Sequence, residues 1–165
     1  MIDLKAYLPR LQEFFASQPE VALAYLYGSY ARGQAWAKSD LDIGVLFDES
    51  VPSRQQWQLA ARYAADLSRL LDDQVEVDVR ELNPGPVEFL YQVIKHRQCL
   101  YVRDGKQRVR FEAAVISRYL DLKPVLDLYY GYMLAHTKEG DTLYGLRFKR
   151  HLAALEQIAG SARGA

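Results

Sequence analysis

Helical and strand patterns alternate along the first hundred residues and then give way to helix alone. This predicts an α/β chain of the α+β kind: a small mixed β-sheet covered by helices, with a C-terminal helical extension. Three observations carry the prediction. Residues 21–27 form an unbroken apolar run stopped by Gly28, as in a strand buried on both faces. Val75-Glu76-Val77-Asp78-Val79 alternates strictly, giving one Val face and one acidic face. Between and around them, apolar residues recur at helical spacing.

Taken in order, Leu4, Tyr7, Leu8, Leu11, Phe14 and Phe15 mark a first helix, which Pro9 either starts late or kinks. The run 21–27 is the first strand. Residues 28–39 mix Gly, Ser, Ala and Lys/Arg and read as a short turn or helix and then a loop; residues 41–47 read as a second strand. Residues 53–71 form a helix that Ser53 can cap, with Trp57, Ala60, Ala61, Ala64, Leu67, Leu70 and Leu71 as its apolar stripe. The strand at 75–79 follows, then the breaker Asn83-Pro84-Gly85-Pro86, a helix at 87–95 and a short strand at 99–102. Asp104-Gly105 is the best candidate boundary, dividing a core (1–103) from a helical extension (104–165). In the extension Phe111, Ala114, Val115, Tyr119 and Leu122 form a stripe that continues past Pro124, and a second helix is expected near 142–159.

Composition narrows the function classes. Of 165 residues, 50% are apolar and 25% charged, which is ordinary for a folded domain. Lys+Arg and Asp+Glu are 21 each, so the formal charge is zero and no global field exists to hold long nucleic acid. The longest uncharged stretch is 11 residues (21–31), against about 20 for a membrane helix. Cys99 is the only cysteine, which excludes an intrachain disulfide and a cysteine-rich zinc site. With no signal-like N-terminus, a soluble cytoplasmic protein is expected.

Three acids carry the chemistry. Asp40 and Asp42 stand two apart at the mouth of the second strand, so they project to one side with Cα atoms roughly 6–7 Å apart. Asp78, on another alternating strand, can join them. Three carboxylates with no Lys or Arg beside them repel one another unless cations neutralise them. Oxygen ligands alone suit Mg²⁺ or Mn²⁺, and two such ions can clamp the attacking and leaving oxygens of a phosphoryl displacement. The same acids equally suit solvated strand ends. Upstream, Gly28-Ser29 follows a buried strand directly. Glycine permits close backbone approach, the hydroxyl can donate to phosphate, and Arg32 and Ser39 add further donors. No histidine pair (His96, His136, His151) has metal-ligand spacing.

The pattern Gly28-Ser29, ten residues, Asp40-Leu41-Asp42 resembles the motif of the polymerase-β-like nucleotidyltransferases. The fuller stretch Gly28-Ser29-Tyr30-Ala31-Arg32-Gly33 to Ser39-Asp40-Leu41-Asp42-Ile43, and Asp78 followed by Leu82-Asn83, is similar to the minimal nucleotidyltransferase (MNT) branch. The resemblance covers roughly residues 20–125. It implies a sheet-and-helix nucleotidyltransferase fold. It also implies Asp40, Asp42 and Asp78 as catalytic metal ligands for two Mg²⁺ ions (Mn²⁺ substituting), and Gly28, Ser29, Arg32 and Ser39 as nucleotide-binding residues. Many MNT proteins are the antitoxin halves of HEPN–MNT toxin–antitoxin modules. The implied activity is therefore transfer of AMP from ATP to a tyrosine hydroxyl of a HEPN-domain ribonuclease toxin, with release of pyrophosphate and a toxin hetero-oligomer as one expected assembly. Two other readings stay open: an antitoxin that neutralises by occlusion alone, and a small-molecule nucleotidyltransferase. The basic stretch 103–118 and the aromatic tail (Tyr129, Tyr130, Tyr132, Tyr144) suit a partner surface as well as a solvated or self-packed helix.

Overall fold

The computed structural model describes residues 2–83 and 85–136. The helix expected near 142–159, with Tyr144 and His151, lies outside them. The first helix, α1, spans Leu4–Ala16, and Asp3 caps it by accepting a hydrogen bond from the Lys5 amide at 3.2 Å. Pro9 therefore lies inside the helix and does not delay its start. Strand β1 (Val21–Leu26) is buried at every position, as its continuous apolar run requires. A four-residue helix, α2 (Gly28–Ala31), and a loop lead to β2 (Leu41–Phe47).

Helix α3 (Ser53–Leu70) crosses over to β3 (Val77–Glu81). Ser53 is the first helical residue and makes no capping bond; Pro52, with its fixed φ, occupies the cap. The buried face of α3 is Gln56, Ala60, Tyr63 and Leu67, and Trp57 is exposed. The stripe is thus rotated from the expected one, because Tyr63 rather than Trp57 fills the core and reaches Glu20 with its hydroxyl at 3.3 Å. Strand β3 begins two residues later than the alternation suggests. It starts where its neighbour starts, Leu41 facing Val77, and as an edge strand it tolerates the polar Arg80 and Glu81. Helix α4 (Val87–Lys95), β4 (Gln98–Val102) and α5 (Gly105–His136) complete the described chain, α5 running through Pro124.

The sheet order is β3-β2-β1-β4. Strand β1 pairs antiparallel with both neighbours, and β2 pairs parallel with β3, the geometry that the α3 crossover permits. One sheet face packs Leu41, Ile43, Val45 and Val79 against Leu11 and Phe15 of α1 and Ala60, Tyr63 and Leu67 of α3. The other face packs Leu23, Tyr25, Leu46 and Leu82 against Leu90, Val93 and Ile94 of α4 and Val115 of α5. Each fully buried side chain of this size contributes about 1.5–3 kcal/mol. Asn83 closes the open end of β2 by giving and taking a hydrogen bond with the Phe47 backbone, at 2.9 and 2.8 Å. The residues up to Tyr119 form one compact unit and those from Leu120 belong to a second. Among the described residues no helix is long and apolar enough to cross a membrane.

Candidate active site

The parallel register sets Asp42 of β2 directly beside Asp78 of β3. Neighbouring parallel strands lie about 4.8 Å apart, so two carboxylates in register share one sheet face. That face is the α4 side, where Gly44, two residues beyond Asp42, lies against Leu82 and Val93. Asp40 precedes β2 by one residue and is exposed. Gly28 follows β1 after Tyr27 and adopts φ +69°. A Cβ there would stand 1.9 Å from Asp42 Oδ2, so the backbone at Gly28 and the Asp42 carboxylate meet in a space that admits only glycine. Ser29, next along, is half-buried at the start of α2.

Electrostatics follow from this crowding. Burial, then Asp78, then Asp40 push the Asp42 carboxyl above the usual carboxylate range, against the opposing pull of Arg80 and Arg32. The Tyr27 hydroxyl is likewise raised by burial and by Asp42 and Asp78. Asp78 is not left to repulsion alone: Arg80 Nε donates to its Oδ2 at 2.8 Å. The expectation of three acids with no basic neighbour is thus corrected. Arg80 sits two residues on, on the same face of β3, and its guanidinium lies 5.9 Å from the centre of the Phe89 ring. Phe89 packs edge-on against Tyr27, ring centres 6.0 Å apart, which joins α4 to the strand end that carries Gly28.

The family described as polymerase beta, nucleotidyltransferase matches residues 10–106, which hold all of these groups. The chain belongs to this nucleotidyltransferase family. It is 29% identical over 105 residues to the protein adenylyltransferase MntA of Shewanella oneidensis, a match covering 64% of this chain and 70% of that one. A solved toxin–antitoxin structure with AMP-PNP superposes with a TM-score of 0.60 at 24% identity, covering 79% of this chain and 98% of that chain. A structure of tri-AMPylated Shewanella oneidensis HEPN toxin in complex with MNT antitoxin superposes with a TM-score of 0.57 at 21% identity, covering 77% and 98%. At these identities the structural likeness establishes the fold.

Within this nucleotidyltransferase, the other residues singled out from sequence fall at different distances from the acids. Arg32 caps α2 at its C-terminal end, is exposed, and lies near enough for its charge to act on Asp42. Ser39 is buried under the loop, its Oγ accepting from the Trp36 amide at 3.0 Å while its own amide donates to the Trp36 carbonyl at 3.0 Å. The structure therefore gives Ser39 the task of closing the turn that delivers Asp40. The His96 imidazole is held below its ordinary range by partial burial and then by the nearby Lys95 and Arg32 charges. Glu76 precedes β3 and offers its carbonyl to the Leu41 amide at 2.8 Å. Cys99 is exposed at the start of β4.

Sequence reasoning missed Arg80 and Tyr27. The signal for Arg80 was present, since the alternation that aligns Asp78 with the acidic face carries on to residue 80. Tyr27 read only as the last residue of an apolar run. Among the described residues no three acidic, histidine or cysteine side chains stand grouped as an ion's ligand set, with Asp78 engaged by Arg80. The donor chemistry nonetheless fits a hard divalent cation. Asp42 has no hydrogen-bond partner for its carboxylate among the described residues, and its ionised form is opposed by two neighbouring acids.

Proposed function

We propose that this nucleotidyltransferase is a Mg²⁺-dependent protein adenylyltransferase and antitoxin, which transfers AMP from ATP to a tyrosine hydroxyl of a cognate HEPN ribonuclease. The observation that carries the reading is the Asp42–Asp78 register beside Gly28, a geometry that joins a pair of acids to a backbone cradle. The likeness to a protein adenylyltransferase over most of both chains, and to antitoxins solved with AMP-PNP and with an AMPylated toxin, supports the choice of nucleotide and acceptor.

In this reading Asp40, Asp42 and Asp78 are the ligands of the metal. Divalent ions bound there supply charge neutralisation to the phosphates and activation to the attacking hydroxyl. Gly28 lets the triphosphate approach the backbone, and Ser29 donates to a phosphate oxygen. Arg32 adds positive charge at the rim. Asp78 accepts the proton of the tyrosine hydroxyl as its oxygen bonds to the α-phosphorus. The bond from that phosphorus to the bridging oxygen breaks in line, and pyrophosphate leaves with the electron pair. The helical extension serves as the partner-binding or dimerisation element. It presents Val125 and Leu128 at 60% and 76% exposure, large apolar groups of the kind interfaces cover.

The test is incubation of the protein with labelled ATP, Mg²⁺ and its folded HEPN partner. Label appears on a partner tyrosine, and Asp42→Asn or excess EDTA reduces it at least about 100-fold. Absence of label from the wild-type reaction, with toxin activity still neutralised, selects occlusion instead. Turnover of hydroxylated small molecules without protein label selects a small-molecule acceptor.

A further inference from the structure

The sheet divides charge across the Gly28 cradle. In the order β3-β2-β1-β4, Asp78 and Asp42 belong to the two strands on one side of β1. On the other side the chain enters β4 through Lys95 and His96, at the end of α4. Two contacts hold that turn against the cradle. Leu26, two residues before Gly28, pairs with Gln98, two residues after His96. The Gln98 side-chain amide donates to the Ala31 carbonyl, at the end of α2, at 3.1 Å. Arg32, the next residue, stands between the two charge groups, and its guanidinium acts on Asp42 and on His96 alike.

Among the described residues neither Arg32 nor Lys95 forms an ion pair; Arg32 Nε donates to the neutral Gln34 side chain at 3.3 Å. After burial, their charges are what oppose the protonated form of His96. Positive groups gathered without a counter-charge repel one another, and a bound anion relieves the repulsion. The carbonyl end of α4 offsets only part of it. A phosphate chain laid over Gly28 suits both sides of this division: its reacting phosphorus belongs with the acids and its far end with the bases. We propose that Lys95 and His96, together with Arg32, form the subsite for the two terminal phosphates of ATP, which leave as pyrophosphate. This rests on the nucleotidyl-transfer reading above. As the tyrosine oxygen bonds to the α-phosphorus, the bond from that phosphorus to the bridging oxygen breaks and its electron pair stays on that oxygen. The negative charge so gained falls on the group these three side chains hold, where charge-assisted hydrogen bonds stabilise it.

The experiment measures the affinity of the full chain, without partner, for ATP, inorganic pyrophosphate and AMP. Each displaces a fluorescent ATP analogue at fixed Mg²⁺ and ionic strength. Wild type is compared with Lys95→Gln, His96→Asn, the double variant and the charge-keeping Lys95→Arg. Lys5→Gln removes the same charge at the exposed start of α1 and serves as control. The double variant is expected to bind ATP and pyrophosphate about tenfold more weakly, the effect of losing hydrogen bonds to a charged group. AMP, which lacks those two phosphates, changes less than about twofold, and Lys95→Arg stays near wild type. ATP and pyrophosphate affinities unchanged in the double variant overturn the subsite and leave the nucleotide reading intact. Equal weakening of AMP and ATP overturns it too, as does a loss in Lys5→Gln matching that in Lys95→Gln, since the effect is then structural or bulk charge. A folded wild type that binds none of the three ligands sinks the nucleotide reading itself.

Discussion

At Gly28 a hydrogen atom stands where any other residue would place carbon against a carboxylate. Gly28→Ala sets a Cβ at 1.9 Å from Asp42 Oδ2 and forces a side chain into φ +69°. The backbone penalty alone is about 1–2 kcal/mol. Because Asp42 must also shift, label transfer is expected to fall about 100-fold or more while the far-ultraviolet circular dichroism stays that of the parent. Asp42 makes a second prediction, about pH. Its folded pKa is raised, so between the unfolded value of about 3.9 and the folded one the native state holds more protons than the unfolded state. Stability therefore falls as pH rises through that window, and the neutral isostere escapes the loss. In EDTA, Asp42→Asn is expected to melt above wild type at pH 7, with the gap closing as pH approaches 4. A lower melting temperature at pH 7 contradicts this.

At the scale of elements, α5 is tied to the sheet by a half-buried charge network. Glu112 accepts from the Tyr25 hydroxyl at 2.9 Å and from Arg97 at 2.7 and 2.5 Å, while Arg97 also donates to the Ile94 carbonyl at 2.7 Å. One carboxylate thereby joins β1, the α4–β4 turn and α5. Burial, then Glu112, raise the Tyr25 hydroxyl. Glu112→Ala strands the buried Tyr25 hydroxyl and the Arg97 guanidinium together and is expected to destabilise by about 2–4 kcal/mol in urea unfolding. Tyr25→Phe removes one neutral donor and is expected to lose about 1 kcal/mol. None of this was legible in the sequence, because Tyr25, Arg97 and Glu112 meet only through the fold. What was legible is what a period or a fixed spacing encodes. The buried run of β1, the α4 bounds and the alternation that sets Asp78 on the face opposite Val77 and Val79 follow from patterns a few residues long, whereas the neighbourhood of Asp42 and Asp78 is a matter of strand register. The rotation of α3, by contrast, turns on whether Trp57 or Tyr63 enters the core. Both suit helical spacing, and only packing against Phe14, Phe15 and Phe47 decides for Tyr63.

For the molecule as a whole, the extent of the cooperative unit becomes testable. The sheet ends at Val102, yet Glu112, Val115 and Tyr119 are built into the same compact unit, and Tyr119 stacks on Tyr91 of α4 with ring centres 3.7 Å apart. A chain ended after residue 103 is expected to lose its sharp thermal transition and bind hydrophobic dyes, whereas one ended after residue 123 keeps a cooperative melt. A sharp melt for the shorter chain would show that α5 is dispensable to the core.

The parallel pairing of β2 with β3 also has a consequence in time. Strands β1 and β2 meet across a short connection, so Gly28, Asp40 and Asp42 come together by local contacts. Asp78 reaches Asp42 only after the chain has passed through α3, a crossover that cannot be bypassed. On the ribosome the acid pair therefore forms late, since the crossover and the core it packs on must both be in place before Asp78 stands beside Asp42.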